Sequence, residues 1–133
     1  MSLEQNKQVV LDSFRVLETG DSVAADRIIA PDFINREADD DPNRPDRGLR
    51  GPAGLIATSR WLSETFSDLK FDHHEVVAED ERVVVVATMT GYPYWDVSRH
   101  TPNAQTVSAA PVSFISDACR TKPSAIASMF LTV

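Results

Sequence analysis

His73 and His74 stand side by side between Asp72 and Glu75. An imidazole beside a carboxylate is a proton-transfer pair or the beginning of a metal site. Adjacent strand residues point to opposite faces, so only one of the two histidines can face an interior, and the four side chains make poor joint metal ligands. A solvated edge position is the alternative for His73. Arg36, directly after Asn35, offers a guanidinium to an anionic ligand oxygen or to a surface ion pair. Asp32 follows Pro31 and reads as an acid or as a turn residue. Trp61 suits packing or the lining of a cavity. Asp39-Asp40-Asp41 lacks the spacing and the glycine of a calcium loop and reads as solvated. No phosphate-binding glycine loop, nucleophile elbow or HExxH motif occurs. Cys119 is the only cysteine, which excludes an intramolecular disulfide and a cysteine zinc cluster.

The elements that must position these groups follow from periodicity. Leu3, Val10, Phe14 and Leu17 fall on one stripe, so residues 3–18 are predicted as an amphipathic helix stopped by Gly20. Asp21 or Ser22 caps a short second helix over 23–29, ended by Pro31. Residues 32–36 read as a strand and 38–51 as a charged, proline-broken loop. Gly51-Pro52 opens a third helix with Leu55, Leu62 and Phe66 on its buried face. Residues 69–78 and 82–90 read as strands around a turn at 79–81. The run Val83 to Val86 suits a strand buried on both faces. Helices followed by paired strands predict an α+β fold, helices on one side of a mainly antiparallel sheet.

With 133 residues the chain is one domain. Its net charge of -7 opposes binding to nucleic acid. The polar start does not resemble a signal peptide, and the longest strongly apolar stretch, 83–87, is too short to span a bilayer. A cytoplasmic protein is expected.

The composition changes once. Only Asp96 and Asp117 of the 20 acidic residues lie beyond residue 90, with Arg99, Arg120 and Lys122 of the 13 basic ones. Both tyrosines and half of the 8 prolines lie there too.

The ordered part resembles a known family. The features are Asp32-Phe33-Ile34-Asn35, then Arg50-Gly51-Pro52-Ala53-Gly54 opening a helix, then Phe66-Ser67-Asp68-Leu69, and the strand-turn-strand run Val76-Val77-Ala78-Glu79-Asp80-Glu81-Arg82-Val83-Val84-Val85. In this order they are similar to the SnoaL-like polyketide cyclases, also called ester cyclases, of the nuclear transport factor 2-like superfamily, over about residues 5–90. The resemblance implies a cone-shaped barrel of curved antiparallel sheet with three helices and a ligand cavity inside the curved sheet. It implies intramolecular aldol cyclisation or isomerisation of a small hydrophobic molecule, with no cofactor or metal, and a homodimer. It also allows a non-catalytic binding or dimerisation module, since fold does not fix function. Family members often carry a histidine where this chain has Arg36. Asn35, Arg36, Trp61 and His73 are the candidate ligand contacts. The family's catalytic acid and partner histidine lie on later strands, so no catalytic residue is assigned.

Those later strands do not match. After Gly91 the family usually continues Thr-His-Thr-Gly and, after a few residues, Gly-Ile-Pro-Pro-Thr. Codons for Tyr92-Pro93-Tyr94-Trp95-Asp96 read one base further on permit Thr-His-Thr-Gly-Thr. The same shift of Arg99-His100-Thr101-Pro102-Asn103 permits Gly-Ile-Pro-Pro-Thr, and residues 113–120 permit His-Leu-Phe-Arg-Met-Arg-Ala-Gly. Three family segments in one alternative frame, in order, make residues 91–133 read as a frame-shifted tail; a divergent natural tail is the alternative. A frame-shifted tail is expected to be irregular, with at most one short strand over 111–115 against 83–87, Pro102 and Pro111 breaking the rest. C-terminal strands are therefore expected to be incomplete. A sheet short of its last strands presents an open edge, a second route to self-association.

Overall fold

The computed structural model describes residues 2–93, 108–118 and 126–132, with side chains described over 2–92. Cys119, Asp96, His100 and Pro102 lie outside the described residues, as does the Arg99–Asn103 segment.

Helix α1 (Leu3–Thr19) begins with a reciprocal cap. The Ser2 hydroxyl accepts from the Gln5 N–H, and the Gln5 side chain accepts from the Ser2 N–H. It ends at Gly20 in the left-handed conformation, φ 70°. Asp21 Oδ1 accepts from Val23 and Ala24 N–H and starts α2 (Ser22–Ile28). Strand β1 (Ile29–Asn35) continues from it without a break. It opens three residues before the expected strand and contains Pro31. Such a proline is tolerated because β1 is an edge strand and its pairing is irregular between Ile29 and Ile34.

The charged loop begins later than expected. Asn35 Oδ1 accepts from the Ala38 N–H and nucleates a one-turn helix, α3 (Arg36–Asp40), a fourth helix where three were expected. Helix α4 (Pro52–Thr65) starts on Gly51 and a first-turn proline. Strands β2 (Phe66–Glu79) and β3 (Arg82–Pro93) form the hairpin around Asp80, whose φ of 52° replaces the missing glycine. Asn6 Nδ2 donates to the Asp80 carbonyl and ties that turn to α1.

Among the described residues the sheet is open and five-stranded, in the order β1-β5-β4-β3-β2. Strand β4 (Ser108–Ala118) runs antiparallel to β3, and β5 (Ile126–Thr132) antiparallel to β4 and parallel to β1. This corrects the expected irregular tail, since two strands stand where at most one was expected. In register, Val112 and Phe114 stand opposite Ala87 and Val85 of β3, and Leu131 stands opposite Phe114. Pro111 sits in β4 opposite Thr88, outside the stretch from Ser113 to Ala118 that pairs with β5. Its missing N–H therefore falls in a stretch laddered on one side among the described residues.

Helices α1 and α4 cover one face of the sheet. Phe14, Leu17, Phe33, Leu55, Leu62, Phe71, Val83, Val85 and Ala87 form the core. The valine run alternates rather than being buried on both faces: Val83 and Val85 point inward while Val84 and Val86 are half-buried. Leu3, expected on the buried stripe, is 45% exposed because it lies in the first turn, beyond the buried part of the helix. β2 is the other edge strand, with register breaks at Ser67/Lys70 and His73/Glu75.

Candidate functional site

Four buried polar residues, Asn35, Arg44, Asp46 and Thr58, come together where β1, α3 and α4 meet. Asn35, 3% exposed, sits at the end of β1. Its amide Nδ2 donates to Thr58 Oγ1 at 3.0 Å, while its Oδ1 caps α3. Thr58 lies one turn after Gly54 on the inner face of α4. Its hydroxyl is 2.6 Å from Asp46 Oδ2 and 3.1 Å from the Gly54 carbonyl. A hydroxyl has one proton, and the shorter, charge-assisted bond to Asp46 takes it.

Asp46 is 2% exposed and Arg44 is 7% exposed. They form a fork-to-fork pair, Nε to Oδ1 at 2.8 Å and Nη2 to Oδ2 at 2.7 Å. The remaining guanidinium nitrogen, Nη1, donates to Glu37 Oε1 at 3.2 Å. The guanidinium carbon lies 3.7 Å from the centre of the Trp61 ring, a cation–π stack. Planar arginine suits both tasks, since one edge serves the carboxylate and one face serves the ring.

Two carboxyl groups respond in opposite senses. Burial pushes the Glu37 carboxyl above the usual glutamate value, and Arg44 only partly offsets it. Burial also acts to raise Asp46, but hydrogen bonds from Arg44 and Thr58, together with the Arg44 charge, outweigh it, and Asp46 lies below its usual value. On α3, Asp39 is held low first by its hydrogen bond from Arg50 and then by the Gly48 N–H.

The four residues singled out by sequence do not form one site. Asn35 and Trp61 belong to this cluster. Arg36 is exposed at the start of α3. His73 is exposed on β2, its ring edge-on to Phe14 at 4.5 Å and therefore on the helix side of the sheet. His74, the extra residue at a register break, has Nε2 2.7 Å from Thr88 Oγ1. Among the described residues no three His, Cys, Asp or Glu side chains gather as a metal site. An open hollow of about 270 Å³ lies between the two strands at Asp68, Lys70, Thr90, Gly91 and Tyr92; none of the four expected contacts lines it. Glu37, Arg44, Asp46 and Thr58 were not read as a site from sequence. The signal was Arg44-Pro45-Asp46, in which a proline holds the backbone between two opposite charges.

The sequence profile of the SnoaL-like domain matches residues 10–116. The chain belongs to the SnoaL-like family. The match runs past Gly91 into β4, further than the motifs that end with the β2–β3 hairpin. Solved structures share the fold of this SnoaL-like chain. A candidate polyketide cyclase from Acidithiobacillus ferrooxidans is 21% identical, with TM-score 0.73, over 99% of this chain and 90% of that one. An NTF2-like protein from Burkholderia xenovorans LB400 is 25% identical, with TM-score 0.69, over 99% and 91%. Wild-type IdmH from Streptomyces antibioticus, also a candidate polyketide cyclase, is 14% identical, with TM-score 0.74, over 96% and 91%. No curated protein sequence matches the chain. No helix among the described residues is long and apolar enough to cross a membrane.

Proposed function

We propose that this chain derives from a cofactor-independent acid/base catalyst of the cyclase type, acting on a small hydrophobic molecule of the polyketide kind, and that the polypeptide with its present tail has no such activity. In an aldol ring closure a carboxylate takes a proton from a carbon next to a carbonyl. That carbon bonds to a second carbonyl carbon, whose oxygen gains a proton, so no cofactor is consumed. The step needs a carboxyl group with a raised pKa beside an enclosed apolar substrate. SnoaL-like membership and the likeness to candidate cyclases support the class.

The observation that carries the inactive state is the sequence after Gly91. In the family the acid and its histidine lie there; here the residues are Tyr92-Pro93-Tyr94-Trp95-Asp96 and onward. Among the described residues Glu37 is the one carboxyl raised by burial, and it is engaged with Arg44. A second reading, a non-catalytic ligand-binding or dimerisation module, is favoured by the way Asn35, Thr58 and Asp46 satisfy one another. A homodimer in the cytoplasm belongs to both readings; light scattering at about tens of micromolar gives twice the monomer mass, and a clean monomer removes that part.

The coding DNA tests the frame directly. Its codons after Gly91 must spell the three family segments one base further on, and any other codons end the proposal. Deleting one base at the Gly91–Tyr92 junction then restores the parent. The present chain should give no ring closure of a linear polyketide-type ester above buffer, and the restored chain should give turnover. Turnover by the present chain, or exchange protection of β4 and β5 amides equal to that of 83–87, marks the tail as an evolved part of the fold.

A further inference from the structure

Between α3 and α4 the chain runs through residues 41–51 with three short turns of its own, Arg44 N–H to Asp41 carbonyl, Arg47 N–H to Arg44 carbonyl and Leu49 N–H to Asp46 carbonyl. Over 41–50 only Arg44 and Asp46 are buried. The segment's apolar side chains stay in water, with Leu49 42% exposed. Burial of apolar area, which holds the helices on the sheet, is therefore nearly absent here. The holding contacts are ionic and come in two sets. The inner set is Arg44 with Asp46, Glu37 and Trp61, and Thr58 with Asp46. The outer set is Asp39 accepting from Gly48 N–H and Arg50, with Arg47 donating to the Asp39 carbonyl. At its far end the Gly51 N–H donates to the Phe33 carbonyl, which fixes the hinge to β1.

We propose that residues 41–49 form a detachable strap over Trp61, hinged where Arg50 and Gly51 pair with β1, closed by the buried Arg44–Asp46 pair and opening as a unit when Asp46 loses its charge. Without that charge the buried Arg44 guanidinium loses its two short charge-assisted bonds and keeps only the 3.2 Å contact with half-buried Glu37, a costly state. No apolar anchor keeps the strap in place, so the arginine relieves the cost by swinging into water. Trp61 and the Asn35–Thr58 pair are then uncovered, while α1 and the β2–β3 hairpin keep their packing. Local opening of this kind is expected where few apolar contacts hold a segment.

The groups facing Asp46 among the described residues are Arg44 on the strap, Glu37 on α3 through Arg44, and the neutral Thr58 and Trp61 on α4; Asp41 acts on Glu37. Their order of titration fixes the sign. Glu37 is raised, so as pH falls it is protonated first, above 4.5. That protonation favours the folded state and leaves the Asp46 pair intact. Asp46 is lowered, so the closure it provides is complete above 3.8 and is lost as pH falls through a lower value.

The test uses the full chain with Trp95→Phe, which leaves Trp61 as the sole tryptophan. In that background Asp46→Asn at pH 7 should raise acrylamide quenching of Trp61 about threefold and speed amide exchange at Arg47, Gly48 and Leu49 about tenfold, with Phe71 and Val85 amides unchanged. Asp39→Asn should leave Trp61 covered, and so should 1 M NaCl, since salt screens the exposed outer set and not the buried pair. In the parent background, acid should uncover Trp61 before the helical circular dichroism falls. The strap is overturned if Asp46→Asn keeps both its dichroism and its low quenching. It is overturned equally if dichroism and Trp61 exposure change together in acid, which makes opening a global event.

Discussion

Phe14→Ala should cost about 3–5 kcal/mol in urea unfolding, the range for truncating a buried phenylalanine. Phe14 is 1% exposed. Its ring meets Phe71 edge-on at 5.2 Å and His73 at 4.5 Å, so it joins α1 to β2. The cavity would lie under α1, whose other ties to the sheet include the bond Glu18 accepts from the Phe71 N–H. The surrounding backbone is hydrogen-bonded and cannot collapse into the void. A loss below about 1 kcal/mol would place Phe14 outside the cooperative core.

Gly51→Ala should cost about 3 kcal/mol, for a backbone reason. Gly51 has φ 70° and ψ -162°, a region open to glycine alone. A Cβ there would lie 2.6 Å from the Pro31 carbonyl oxygen, which belongs to β1 and has no rotamer to escape through. The substitution must push β1 from α4 or abandon the Gly51 N–H bond to Phe33. Gly48→Ala is the control. Gly48 also has positive φ, 78°, but nothing within 4 Å of a Cβ, so only the left-handed penalty of about 1 kcal/mol applies. Equal losses at the two sites would show that the close approach to Pro31 carries no energy.

The parts of the fold that were legible in the sequence are those set by neighbours along the chain. The stripe of α1, the Gly20 stop, the Gly51-Pro52 start and the 82–90 strand all follow from residues within one or two turns. What was missed depends on distant partners. Strand β5 exists because β1 and β4 offer ladders on both sides, and its own residues carry no strong alternation. Helix α3 exists because the Asn35 side chain is free to cap it. The Arg44–Asp46 pair was hidden in a segment whose charge density reads as solvated. Burial of such a pair is decided by Trp61 and Thr58, fifteen or so residues further on. Of the candidate contacts, Asn35 and Trp61 come together, while Arg36 and His73 lie elsewhere, because adjacency in sequence did not set which face each side chain took.

The two register breaks in β2 have a consequence for how copies of this chain meet. An edge strand of 14 residues is an obvious template for strand addition, the first step toward fibrils. β2 is a poor template. The break at Ser67/Lys70 and the one at His73/Glu75 leave an even ladder only a few residues long between them. Lys70, Asp72, Glu75 and Glu79 are exposed along the strand, and charged side chains on an edge disfavour an incoming strand. That protection is part of the covalent sequence before Gly91 and is independent of the residues beyond it. Association through this edge is therefore disfavoured, which leaves the β1 edge and the sheet face to copies that associate.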